Sequence, residues 1–117
     1  MKTCTIYHNP RCSKSRETLA LIEEAGLPAT VRDYLNTAPT TEELKQLLQQ
    51  LGLPAQAILR QDEPEWKATG LKAADQDEST VIAAIAVCPR LLQRPIVVVG
   101  DKAAIGRPPE NILPLIS

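Results

Sequence analysis

Cys4-Thr5-Ile6-Tyr7-His8-Asn9-Pro10-Arg11-Cys12-Ser13-Lys14-Ser15-Arg16 is the stretch from which the rest of the chain can be read. Cys4 to Tyr7 has strand-forming residues and stops at a proline-containing turn, so it reads as a first, buried strand. From Ser13 to Ala25 the residues Leu19, Ile22 and Ala25 recur at helical spacing, and Gly26 followed by Pro28 supplies the stop. Thr30 to Tyr34 is then expected as a second strand. Strand, helix and strand in so short a span make a βαβ unit, with parallel strands and a right-handed crossover.

Beyond this unit the chain turns helical. Thr40 and Glu43 have the spacing of a capping box, Leu44, Leu47, Leu48 and Leu51 share one face, and Gly52-Leu53-Pro54 ends the helix. Pro64 is expected to open a short helix carrying Trp66, and Asp75 with Glu78 suggests a second capping box ahead of Val81, Ile85 and Cys88. After Pro89 the strand pattern returns: Ile96 to Val99 is an apolar run, Gly100-Asp101 a turn, and Ala103 to Ile105 a partner strand. Pro108-Pro109-Glu110 starts a terminal helix that Pro114 should break or kink early. The order is βαβ, helical insert, ββα: an α/β fold with a mixed sheet flanked by helices and Ile96 to Val99 as a central strand. A thioredoxin-like topology fits this order, which does not by itself fix the strand neighbours.

The chain has 117 residues, 44% of them hydrophobic, which suits a single domain with a helical insertion at about residues 40–92. Formal net charge is -1 with both signs interspersed, so no broad basic surface for nucleic acid is expected. No apolar stretch at the start is long enough for a signal peptide or membrane helix, which points to the cytosol. Three cysteines, Cys4, Cys12 and Cys88, cannot all pair within the chain and are read as thiols.

Cys12 falls between the first strand and the first helix. There the helix presents unpaired amides and the positive end of its dipole, which favour a thiolate and a bound oxyanion alike. Arg11, Lys14, Arg16 and His8 add positive charge or hydrogen-bond donors. Ser15 stands where a dithiol oxidoreductase has its second cysteine, so Cys12 must be resolved by another thiol: a small molecule such as glutathione, a partner protein, or Cys88. Cys88 is in phase with Val81 and Ile85 and is expected in the core, as is Cys4 in the first strand. His8 has three readings: an imidazolium beside the thiolate, a neutral hydrogen-bonding group that orients the loop, or a purely structural residue. Arg60, Arg94 and Arg107 are each ordinary surface charges when taken singly; together, guanidinium groups suit a tetrahedral oxyanion. A cis peptide at Arg94-Pro95 would turn the backbone of Arg94 towards the front of the sheet.

The run Ile6 to Arg16 resembles the active-site segment of the glutaredoxin-coupled arsenate reductases. Ile58-Leu59-Arg60, Arg94-Pro95-Ile96-Val97-Val98 and Gly106-Arg107-Pro108 resemble that family's three arginine-bearing segments. The resemblance implies a thioredoxin-like fold with a helical insert and a cis Pro95. It implies Cys12 as nucleophile, His8 as modulator of its thiolate, and Arg60, Arg94 and Arg107 as oxyanion ligands, with Asn9, Ser15, Arg16 and Pro95 in support. It further implies arsenate as substrate, glutathione as co-substrate, glutaredoxin as partner, a monomer, and no metal or bound cofactor. The chain ends at Ser117 whereas resistance-type members have a longer C-terminal tail, so it looks closer to a short branch of the family. Two alternatives stand beside this: a glutathione-dependent reductase of mixed disulfides or another oxyanion, and a non-catalytic regulator like the polymerase-binding branch of the same fold. Ser15 lacks the second thiol of that branch's redox switch.

Overall fold

The structure, a computed structural model, describes residues 3–116. Strand β1 (Cys4–Tyr7) leads into helix α1 (Ser13–Glu24), and β2 (Ala29–Arg32) returns parallel to β1, with Cys4 opposite Ala29 and Tyr7 opposite Arg32. Gly26, at φ 72, takes the left-handed conformation that lets the chain leave α1. The second strand ends at Arg32 and not at Tyr34, because Asp33 nucleates a turn: its carbonyl accepts from the amides of Asn36 and Thr37. Its carboxylate accepts from the Asn36 side chain as well.

Strands β3 (Ile96–Val99) and β4 (Lys102–Ile105) form the expected hairpin. β3 pairs antiparallel with β1, Tyr7 opposite Ile96 and Cys4 opposite Val99, giving the order β2-β1-β3-β4. One parallel and two antiparallel pairings around a βαβ start and a ββ finish make this a thioredoxin-like sheet. Its two inner strands are β1 and β3, in keeping with the burial expected of the first and the apolar run of the second. Cys4, Ile6, Ile22, Val97, Val99 and Ile112 form a buried cluster between sheet and helices. Each such side chain taken fully from water contributes about 1.5–3 kcal/mol. The terminal segment corrects one expectation. A 3-10 turn (Pro109–Ile112) precedes a short helix α5 (Leu113–Ile116), and Pro114 sits in the first turn of α5, where its missing amide forfeits no helical bond.

The chain divides into two compact units, one made of the residues up to Thr37 with those from Arg94 onward, the other Ala38–Gln93. The second unit is helical. In α2 (Thr41–Leu51) the Thr40 hydroxyl accepts from the Glu43 amide while the Glu43 carboxylate accepts from the Thr40 amide, and Gly52 closes the helix at φ 68. Leu44, Leu47 and Leu48 of α2 are buried with Trp66 of α3 (Pro64–Lys67) and Val81, Ile82 and Ile85 of α4 (Glu78–Val87). Two expectations are corrected here. Asp77 caps α4 through the Thr80 amide, because Asp75 is drawn into a 3-10 turn at Ala73–Asp75. Cys88 is only half-buried, since it follows the last helical residue as the C-cap and leaves the apolar face of α4. Among the described residues, no helix is long and apolar enough to cross a membrane.

Candidate active site

The site is assembled where β1 gives way to α1. The His8 amide donates to the Arg32 carbonyl (2.9 Å), prolonging the pairing of β1 with β2 by one residue. The chain then reverses: the Cys12 amide donates to the Asn9 carbonyl (3.0 Å) and the Arg11 amide to Asn9 Oδ1 (3.0 Å). Two side chains from α1 reach back to hold this turn. Ser15, fully buried, accepts from the Asn9 amide at 3.0 Å and pairs with His8 Nδ1 at 2.7 Å. Arg16 donates from Nη1 to the Pro10 carbonyl at 2.8 Å.

Ser15 Oγ thus serves two partners at once, accepting from the Asn9 amide and hydrogen-bonding His8 Nδ1. Burial pushes the His8 pKa down; Asp33 opposes this and Arg16 adds to it. The ring is therefore neutral at pH 7. Of the roles open to His8, the neutral hydrogen bond that orients the loop is the one this geometry contains.

Cys12 is the N-cap of α1, with extended backbone (φ -93, ψ 122) and a carbonyl that accepts the first helical bond, from the Arg16 amide at 3.0 Å. Its side chain makes no capping bond to the helix, and no acidic residue lies in the first turn. The positive end of the helix therefore faces the half-buried sulfur without a competing carboxylate. Arg107 closes the site from the other end of the chain. Its Nη2 donates to Cys12 Sγ at 3.5 Å and its Nε to the Arg94 carbonyl at 2.6 Å. Asn111 Nδ2 donates in turn to the Arg107 carbonyl at 3.0 Å. The Arg94–Pro95 peptide is cis, and so is Arg107–Pro108, which the sequence reading did not single out.

The first unit thus brings together Cys12, His8, Asn9, Ser15, Arg16, Arg94, Pro95 and Arg107. Arg60 belongs to the second unit. There its amide donates to the Leu91 carbonyl and its guanidinium pairs with Glu63, a nearly buried carboxylate that also holds Arg90 at 3.3 Å.

The ArsC family model matches residues 7–115. The chain belongs to the ArsC family. An "Arsenate reductase" of Neisseria meningitidis is 47% identical over 113 residues, 96% of this ArsC-family chain and 97% of its own length. An Escherichia coli relative of the same description is 35% identical over 116 residues, 99% of this chain and 82% of its own length. Among solved structures, an "Arsenate reductase from Vibrio cholerae" superposes with a TM-score of 0.92 at 47% identity, covering 97% of each chain.

Contacts in each unit of this ArsC-family chain were not found by reading the sequence. Gly106 and Thr18 meet behind Arg107, where a Cβ on Gly106 would lie 2.6 Å from Thr18 Oγ1. Glu63 anchors Arg60, and Arg90 lies 27 residues further along. Arg60 and Glu63 stand at i,i+3 spacing, a local signal that was not used. Gly106–Thr18 and Glu63–Arg90 are distant in sequence, and the hint for the former was that Gly106 stands directly before an arginine of interest.

Proposed function

We propose that this protein reduces arsenate to arsenite, with Cys12 as the nucleophile. One observation carries the reading: a sulfur at an uncapped helix N-terminus accepts a hydrogen bond from Arg107, itself tied to the Arg94 carbonyl. That arrangement is what attack by a thiolate on an oxyanion needs. Two unit negative charges 4 Å apart repel by about 4 kcal/mol at an effective dielectric constant of about 20, so the anion must be neutralised before sulfur can approach. Arg107 would bind an arsenate oxygen, with Arg94 and Arg60 further ligands on the strength of the sequence resemblance alone.

In the first step the Cys12 thiolate forms a bond to arsenic of dihydrogen arsenate, and a hydroxyl of the anion leaves with the second proton as water. Glutathione then forms a second sulfur–arsenic bond as another oxygen leaves as water, taking the thiol proton and one from solvent, since Ser15 cannot take that part. Glutaredoxin removes the glutathionyl group as a mixed disulfide; the two thiols together surrender two electrons, arsenic falls from the pentavalent to the trivalent state, and hydrolysis frees arsenite and Cys12. His8, neutral and bonded to Ser15, would hold the loop throughout. A single chain suffices for these steps, no metal or bound cofactor enters them, and the need for reduced thiols suits the cytosol.

The test follows NADPH oxidation with glutathione, glutathione reductase and glutaredoxin, with arsenate as substrate. Wild type is expected to turn over and Cys12→Ser to fall to background; equal rates would remove the assignment. Replacing arsenate by a glutathionylated peptide in the same assay separates this reaction from mixed-disulfide reduction.

A further inference from the structure

Helix α1 and the segment that carries Arg107 are packed without spare room where Thr18 meets Gly106. Thr18, one and a half turns along α1 from Cys12, is fully buried, and its hydroxyl donates to the Lys14 carbonyl at 2.8 Å, which fixes the rotamer. Gly106 lies against it. A Cβ there would stand 2.6 Å from Thr18 Oγ1, 3.1 Å from Thr18 Cγ2 and 2.8 Å from Pro95 Cγ. Its φ is not positive, so glycine is required for space and not for backbone conformation.

The same residue is also held by its backbone. The Gly106 amide donates to the Pro95 carbonyl at 2.9 Å, and the next residue, Arg107, donates from Nε to the Arg94 carbonyl at 2.6 Å. Two consecutive residues therefore hang on two consecutive carbonyls while the first of them rests against α1. The 3.5 Å reach of Arg107 Nη2 to Cys12 Sγ has its stop here. We propose that Thr18 and Gly106 are positioning residues whose contact sets the distance between the Arg107 guanidinium and the Cys12 sulfur. The inference rests on Arg107 as the partner of the thiolate and is independent of which oxyanion is reduced.

The experiment measures the rate at which iodoacetamide alkylates Cys12, followed by peptide mass spectrometry so that Cys4 and Cys88 do not contribute. A charge-assisted hydrogen bond is worth enough that its loss should slow alkylation about tenfold, and Arg107→Ala is expected to do so. Gly106→Ala should give a comparable loss, and in an Arg107→Ala background it should add nothing. Thr18→Ala removes two of the three atoms that an added Cβ would meet and leaves Pro95 Cγ, so the Thr18→Ala/Gly106→Ala double variant should regain part of the lost rate. A folded Gly106→Ala protein with wild-type alkylation, beside a slowed Arg107→Ala, would overturn the positioning role alone. An unaffected Arg107→Ala would overturn the role of Arg107 and the positioning contact with it. If Gly106→Ala does not fold, Thr18→Ala alone decides: with the contact emptied from the α1 side, alkylation should slow towards that of Arg107→Ala, and a wild-type rate refutes the positioning role.

Discussion

At the scale of single residues, His8 ties loop geometry to acidity. Its pKa is lowered from the ordinary 6.5, chiefly by burial, so below that value the unfolded chain binds a proton that the folded chain resists. Stability is then complete above the unfolded value and declines as pH falls through the folded one. Thermal melts of wild type between about pH 7 and pH 5 should show a falling midpoint, and His8→Gln should flatten that fall. Asp77 works in a separate window: its pKa is lowered from 3.8 by the Thr80 amide, so its share of stability persists until the solution is much more acidic. A slope that is the same in both proteins above pH 5 would mean that His8 titrates freely. The site residues were unequally legible. Cys12 and Ser15 announced themselves by position, because a turn between strand and helix is local. That Ser15 is spent on His8 and on the Asn9 amide, however, depends on a chain reversal that no spacing rule encodes.

At the scale of elements, what could be read was whatever is written in neighbouring residues. The capping box of α2 is an example, since Thr40 and Glu43 each satisfy the other's backbone within one turn. Thr40→Ala should lower unfolding free energy by about 1 kcal/mol, as measured by urea denaturation, without altering Cys12 reactivity. The ends of elements were harder. Asp75 and Asp77 are equally good capping residues in sequence, and the choice fell to Asp77 only because Ala73 and Asp75 close a 3-10 turn, with the Ala73 carbonyl also accepting from the distant Gln56 side chain. The second strand was placed too late for the same reason: Tyr34 looks like a strand residue and is fully buried, but it is buried from a turn. Glu63 stands at i+3 from Arg60, which allows an ion pair, but its burial and its second partner Arg90 are not local; among charged residues almost complete burial is the exception, and only the folded chain identifies which acid is the exception.

For the molecule as a whole, the four-stranded order decides how the three thiols behave. Cys4 lies on an inner strand, is 2% exposed, and burial raises its pKa, whereas Cys12 and Cys88 are half-buried at helix ends. Titration of native protein with an aromatic disulfide reagent should therefore reach two thiols, with the third appearing only after denaturation. Three fast thiols in the native state would contradict the packing of β1 between β2 and β3. The strand order itself was the part of the fold that pattern reading left open, since a list of elements does not say which edges meet. It was settled by β3 inserting beside β1, which carries Arg94 and Pro95, at the start of β3, to the end of the sheet where Cys12 stands.

The missing cap on α1 carries a last consequence. A serine or aspartate at that position would quench the amides of the first turn from within, at a gain of roughly a kilocalorie per mole; the thiol of Cys12 does not, so the helix begins unfinished. An anion held at this end of α1 would engage those same amides, so its binding would also raise the melting temperature.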